Sequence, residues 1–200
     1  MNITWHGQHT LKIVTHGITI VLDPHPPQKN IPSFRAKADI VSLSSPSAKE
    51  MSHLSCIQGS PTIIDTPGEY SLGGLTLYAQ GWRHTDGSER SFQRWRIEDV
   101  VLLHLGALTR RLTTEELQLL EQIPIDVLFL PINGSNSLSP QLASELLTII
   151  EPHLVIPTNY TTITAFAKAM GINPRNKQPK LTINNHSLTR EGLATVILSP

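Results

Sequence analysis

Histidine is the residue type here with the most chemistry to offer. His6, His9, His25, His53 and His84 are five of the chain's nine histidines. Imidazole nitrogens suit a zinc-like divalent cation, and an open coordination position on such an ion activates a water. His6 and His9 stand three apart on a strand-to-turn segment, a spacing that does not bring two rings to one side. A single-ion site would draw instead on His25, His53 and His84. A second chemistry is nucleophilic. Ser45 and Ser47 have Lys49 close by in sequence and His84 as a base across a cleft, and a serine beside a base can be activated. No oxyanion donors can be named for them. Cys56 has no His or Asp partner and reads as a small apolar filler. As the one cysteine, it excludes an internal disulfide and a Cys-rich zinc site.

Composition narrows the partners. Sixteen Lys and Arg balance sixteen Asp and Glu, so the formal charge is zero and no electrostatic footprint for nucleic acid or an anionic membrane is expected. The stretch Gly81 to Arg96 mixes Trp82, Phe92 and Trp95 with four arginines, a pattern that can stack on bases. Asp86, Glu89, Glu98 and Asp99 offset that charge, and the stretch reads as a surface loop and following strand, with Arg stems covering rings. The opening residues show no basic start followed by an apolar run, and no stretch nears the roughly 18 apolar residues of a membrane span. A cytoplasmic protein is the expectation.

The elements that must position these residues change character midway. Ile3 to Trp5, Leu11 to Thr15 and Ile18 to Leu22 read as strands, with His16-Gly17 as a tight turn between the last two. Asp39 to Leu43, Thr62 to Ile64 and Leu75 to Tyr78 follow as further strands, separated by Pro-rich and Gly-rich breaks. Val100 to Leu105 is a buried strand by its continuous apolar run. From there strands alternate with helices: a helix from Thr113 to about Gln122, a strand over Asp126 to Leu130 stopped by Pro131, and a helix opened by Ser139-Pro140. A strand over Leu154 to Ile156, a helix over Thr161 to Met170 and a last strand over Leu193 to Leu198 complete the chain. Residues 1–200 form one domain.

Seven segments, read in order, are similar to the metallo-β-lactamase fold, in its lactonase-like branch of metal-dependent hydrolases. Ile3-Thr4-Trp5-His6-Gly7 resembles that branch's opening strand and glycine turn, and Val21-Leu22-Asp23-Pro24 its strand end before the first loop. Ala38-Asp39-Ile40-Val41 is similar to the strand leading into the metal loop. Thr66-Pro67-Gly68-Glu69-Tyr70 with Gly73-Gly74 resembles a Pro-Gly-Glu-Tyr…Gly-Gly segment. His104-Leu105-Gly106, Leu130 to Gly134, and Val155 to Tyr160 match three later motifs. The resemblance spans roughly residues 2 to 161. It implies an α+β, four-layer αββα sandwich: two mixed sheets face to face, with helices outside.

The same resemblance places the metal ligands, and this chain departs from it at almost every one. The family's His-x-His-x-Asp-His loop falls on Ser45, Ser47, Lys49 and Glu50. Its bridging Asp falls on Ala107, a late His on Asn159, and an early His on Gln8. Only His84 lies near a family histidine. Neutral hydroxyls ligate poorly and an ammonium group repels a cation. The sequence therefore predicts a non-catalytic pseudo-hydrolase with no catalytic residue, no metal and no cofactor. It would bind a small ligand or a protein partner in the vacated cleft, or assemble as a homo-oligomer. That cleft would be lined by Asp23, His25, Ser45, Ser47, Lys49, Glu50, His84, Ala107 and Asn159. Asp23 would hold the turn and nearby amides, Lys49 would form a salt bridge in the space of the missing cations, and Glu69 would serve the fold. The alternative is a hydrolase of lactones, esters or phosphoesters with a relocated zinc-like ion. A nucleic-acid-processing relative is a third class, opposed by the zero net charge.

Overall fold

The computed structural model describes residues 1–27, 31, 33–45, 52–84, 86–132, 137–188 and 192–200. Strands β1 (Asn2–Trp5), β2 (Leu11–Thr15) and β3 (Ile18–Leu22) form an antiparallel meander. Alternate residues of β1 and β2 are buried, the pattern of a sheet with one face on the core. His16 (φ 44°) and Gly17 (φ 80°) make the two-residue turn between β2 and β3, both left-handed as the twist of a tight hairpin requires. Short strands β4 (Ala36–Lys37) and β5 (Ile40–Ser42), a 3₁₀ turn at Ser52–Cys56, then β6 (Ile57–Gln58) and β7 (Thr62–Ile64) complete the first half.

The second half holds β8 (Gly68–Leu72), β9 (Leu75–Arg83), β10 (Glu89–Ile97) and β11 (Val100–His104), then α1 (Thr114–Glu121), β12 (Val127–Pro131) and α2 (Pro140–Ile150). β13 (Leu154–Thr158), α3 (Thr164–Ala169), β14 (Lys177–Gln178), β15 (Leu181–Thr182), β16 (Ala194–Thr195) and β17 (Ile197–Leu198) follow. Thr113 and Glu116 cap α1 reciprocally, and Ser139 caps α2 ahead of Pro140. Among the described residues the strands form two main mixed sheets, ordered β15-β1-β2-β3-β5-β7 and β16-β13-β12-β11-β10-β9-β8.

The sheets pack face to face on a core that includes Trp5, Ile13, Ile20, Trp95, Leu102, Phe129 and Ile156. Residues one position along the same strands, Leu103, Leu128 and Val155, point the other way and meet Leu120, Leu146 and Phe166 of the helices. This alternation makes the central strands β11 to β13 apolar on both faces, and it is why they read as continuous runs. The outer face of the first sheet is covered, among the described residues, by Phe34, Ala36 and the 3₁₀ turn through Leu54 and Cys56. This is the expected sandwich of two mixed sheets.

Three expectations need correction. The loop expected within Gly81 to Arg96 is shorter than read: β9 runs on to Arg83 and pairs with β10, the strand that follows, from Thr76↔Arg96 to Arg83↔Glu89. Trp82 and Phe92 sit on the helix-facing side, where they stack at 6.3 Å, while Trp95 sits between the sheets. The arginines do lie over rings, with Arg94 5.0 Å from the Tyr78 centroid and Arg90 5.8 Å from that of Trp82. α3 begins at Thr164 instead of Thr161, with Ile163 at its cap making no side-chain hydrogen bond there. The final strand is split at Val196 into β16 and β17, which pair with different sheets.

Candidate functional site

The sheet ends that carry the family-like motifs converge on Asp23, which leaves β3 in the left-handed region (φ 43°). Its backbone is pinned from two sides: its amide donates to the Ser42 carbonyl (3.0 Å), and its carbonyl accepts from Thr10 Oγ1 (2.6 Å). The carboxylate accepts three hydrogen bonds, from Ser44 N (2.6 Å), Ser44 Oγ (2.6 Å) and His104 Nε2 (2.7 Å). Burial alone would push this carboxyl up, but the bonds from His104 and Ser44 outweigh it and hold Asp23 below the usual range. Ser44 follows β5 in the first sheet, and His104 ends β11 in the second. One carboxylate thus ties the two sheets together.

Backbone contacts complete the tie. The Ser91 amide donates to the Ser44 carbonyl at 2.7 Å. Gly106, at φ 54°, passes so near that a Cβ would lie 2.2 Å from Ser44 Oγ. Only glycine meets both demands.

Beside this clamp lies His9. Burial lowers its pKa to about 4; Asp23 opposes the shift, and the charges of His104 and Arg90 reinforce it. It is a neutral imidazole at pH 7, and its buried Nδ1 has no hydrogen-bond partner among the described residues. His6 has gone elsewhere, its ring 4.7 Å from Phe34.

Arg90 stands at the rim with its side chain only 10 % exposed. Its Nη1 donates to the Ala107 carbonyl (3.0 Å), and its Nη2 lies 3.5 Å from Asp86 Oδ2. His84 belongs to the same hairpin end, with Nδ1 3.0 Å from Asp86 Oδ1 and Nε2 3.3 Å from Thr109 Oγ1. Asn159 occupies a left-handed turn (φ 52°) after β13, and its amide donates to the Gln8 carbonyl at 2.8 Å. Trp5 Nε1 donates to that same carbonyl, and Tyr160 stacks on Trp5 at 4.7 Å. Burial pushes the Tyr160 hydroxyl up to about 12, so it stays protonated.

The remaining predicted residues divide. His25 has its ring nitrogens 2.5 and 2.8 Å from the carbonyls of Pro26 and His6, which occupies both. Ser45 is buried at the end of the β5 segment. Ser47, Lys49 and Glu50 lie outside the described residues, and with them the proposed Lys49 salt bridge. Glu69 is exposed on edge strand β8, and neighbouring Tyr70 closes the preceding turn by donating to the Thr66 carbonyl. Cys56 is half-buried against the outer face of the first sheet, and burial pushes its thiol up. Sequence reasoning missed His104 as a site residue, although a histidine ending the apolar run Val100 to Leu103 must find a buried partner. It also missed Arg90, whose polar-stretch setting concealed a strand residue.

A metal does not fit the donors seen. Asp23 already has three donors on its carboxylate, Ala107 offers only a carbonyl that accepts from a guanidinium, and Asn159 brings an amide where the family motif has imidazole. Among the described residues no three His, Cys, Asp or Glu side chains are grouped to hold an ion. His25, His53 and His84, the set a relocated ion would need, are therefore not brought together.

Comparison with known proteins agrees with the fold. The chain matches a solved structure from Thermotoga maritima, assigned to the Zn-dependent hydrolases of the metallo-β-lactamase superfamily, with a TM-score of 0.77 and 23 % identity over 99 % of both chains. It also matches Igni18, a metallo hydrolase from Ignicoccus hospitalis (TM-score 0.64, 15 % identity, covering 92 % of this chain and 99 % of that one). The metallo-β-lactamase fold protein YhfI from Bacillus subtilis matches at TM-score 0.63 and 8 % identity, covering 98 % and 95 %. A search of curated proteins finds no match. The sequence model of the β-lactamase superfamily domain matches residues 2–159, and with the two-sheet sandwich this shows that the chain belongs to the metallo-β-lactamase superfamily.

Proposed function

We propose that this chain is a binding protein built on a hydrolase fold, with its cleft used to hold a small polar ligand or a partner protein instead of a metal ion. The observation that carries this reading is the Arg90 guanidinium docked on Ala107, the position that matches the family's bridging carboxylate. A fixed cation there opposes a second cation, and the neutral His9 beside it offers a hydrogen-bonding edge to a ligand. Catalysis has no assigned residue: Asp23 is engaged by three donors, and the Cys56 thiol lies apart from it on the first sheet's outer face. Zero net charge argues against a nucleic-acid substrate. Among the described residues, no helix is long and apolar enough to cross a membrane.

Elemental analysis of protein purified without chelators, together with melting curves with and without added zinc, manganese or iron, tests this. The expected result is far less than one equivalent of metal and an unchanged melting temperature. Near-stoichiometric metal with metal-dependent stabilisation would overturn it.

A further inference from the structure

Among the described residues, eight buried side-chain nitrogen and oxygen atoms have no hydrogen-bond partner. Seven of them lie around Asp23 or in the layer beneath it: His9 Nδ1, Ser42 Oγ, both amide atoms of Gln93, Trp95 Nε1, His104 Nδ1 and Thr158 Oγ1. The eighth, Trp82 Nε1, is on the helix-facing side. Alternation along the strands fixes this placement. Ile40, Trp95, Leu102 and Ile156 belong to the core between the sheets. Ser42, Gln93, His104 and Thr158 each stand two positions from one of these on the same strand, so they share that face. All four are at most 1 % exposed. His9 joins them from the turn before β2, close enough to feel the charges of Asp23 and His104.

Gln93 and His104 are direct cross-strand partners, which sets their Cβ atoms about 5 Å apart. Gln93 has donors and an acceptor to place, and uses neither end. The Asp23 carboxylate can only accept from His104 Nε2, so that nitrogen carries a proton and Nδ1 remains without a partner. Ser42 and Thr158 bring hydroxyls, which both donate and accept, and Trp95 Nε1 only donates. On its other side Gln93 is paired with Ala79, whose methyl leaves room beside the amide. A mixed set of donors and acceptors, closed off from solvent, calls for a small neutral molecule that does both. Left dry, seven such atoms would cancel most of the stability of an ordinary domain.

We propose that this layer is a water site: about two or three ordered water molecules sit between the sheets beneath Asp23, each bridging about three of these atoms, with one held between the Gln93 amide and His104 Nδ1. They make the underside of the cleft floor a hydrated polar layer within an inter-sheet core that is otherwise apolar. The waters are held whether or not the cleft takes a ligand, so this site stands or falls apart from the binding reading.

A high-resolution crystal structure of the full chain is the direct test, with water expected within hydrogen-bonding distance of both the Gln93 amide and His104 Nδ1. In solution, oxygen-17 relaxation dispersion counts long-lived internal waters. Gln93→Met, close in volume but without the amide, should lose at least one of them. Urea unfolding reads the sign of the effect. With water in place the variant strands its hydrogen bonds, and the folding equilibrium constant should fall about tenfold. In a dry layer the same change removes two unpartnered atoms and raises that constant. Ser42→Ala, a smaller change, reads the same sign should Gln93→Met not fold, with a fall of about threefold expected. Protein side chains or empty space where the water should be, or a folding constant that rises or holds in these variants, overturns the proposal.

Discussion

Acid should act on this protein through His9. The ring is neutral in the folded state, with its pKa lowered from 6.5 to about 4 by burial and by the charges of His104 and Arg90. The unfolded chain binds a proton at that ring from about pH 6.5 downward, while the folded chain resists until about pH 4. Stability contributed by this group is therefore complete above pH 6.5 and is lost as pH falls toward 4. Each tenfold difference in proton affinity between the two states is worth about 1.4 kcal/mol, and some solvent reaches the ring, so the loss across the window is about 2–3 kcal/mol. That is a large share of the roughly 5–15 kcal/mol that holds an ordinary domain together. Urea unfolding at half-unit steps from pH 8 to 4, for the wild type and for His9→Gln, measures it. Burial also lowers the His6 pKa, with the same sign, and that contribution cancels in the difference between the two proteins. The depressed Asp23 begins to lose its contribution at the acid end of the window, as the unfolded chain's carboxyl starts to protonate, and that loss is common to both proteins. The wild type should fall more steeply than the variant between pH 6.5 and 4. Parallel curves, or an imidazole NMR titration placing His9 near 6.5, would refute the reasoning.

Two further substitutions probe the clamp between the sheets. Asp23→Asn leaves His104 and the Ser44 donors facing an amide where they had a carboxylate; a loss of about 3 kcal/mol in urea unfolding is expected, and a loss under about 0.5 kcal/mol would show that the groups find other partners. Gly106→Ala meets both the left-handed backbone and the 2.2 Å approach to Ser44, so a drop of about 2 kcal/mol or more is expected in thermal unfolding. An unchanged melting temperature would mean that Ser44 moves aside freely.

Much of this arrangement is legible in the residues. The apolar run Val100 to Leu103 and the caps at Thr113 and Ser139 mark their elements correctly, because burial on both faces and end-capping are local properties. The Arg-rich stretch misleads because its arginines make it read as polar on average, yet Arg90 and Arg94 share the helix-facing side of β9 and β10 with Trp82 and Phe92 and lie over the Trp82 and Tyr78 rings, while Trp95 faces the other sheet. Asp23 stands out as a retained acid holding its turn. Its partnership with His104, 81 positions away, depends on how two sheets stack and leaves no local trace. Arg90 is hidden for a similar reason, since only the folded chain brings its guanidinium to Ala107.

The link through Ser44, Asp23, His104 and Ser91 has a mechanical meaning. The Asp23 end of the sandwich is one where the layers are joined by directional bonds as well as by apolar contact; Met1 and Thr15 on Glu98 join them at another. Sliding one sheet over the other would have to break a buried carboxylate's hydrogen bonds, so the cleft floor behaves as a rigid anvil. Under the proposed binding role, a ligand would meet a floor that does not give, so selectivity would come from the side chains around it.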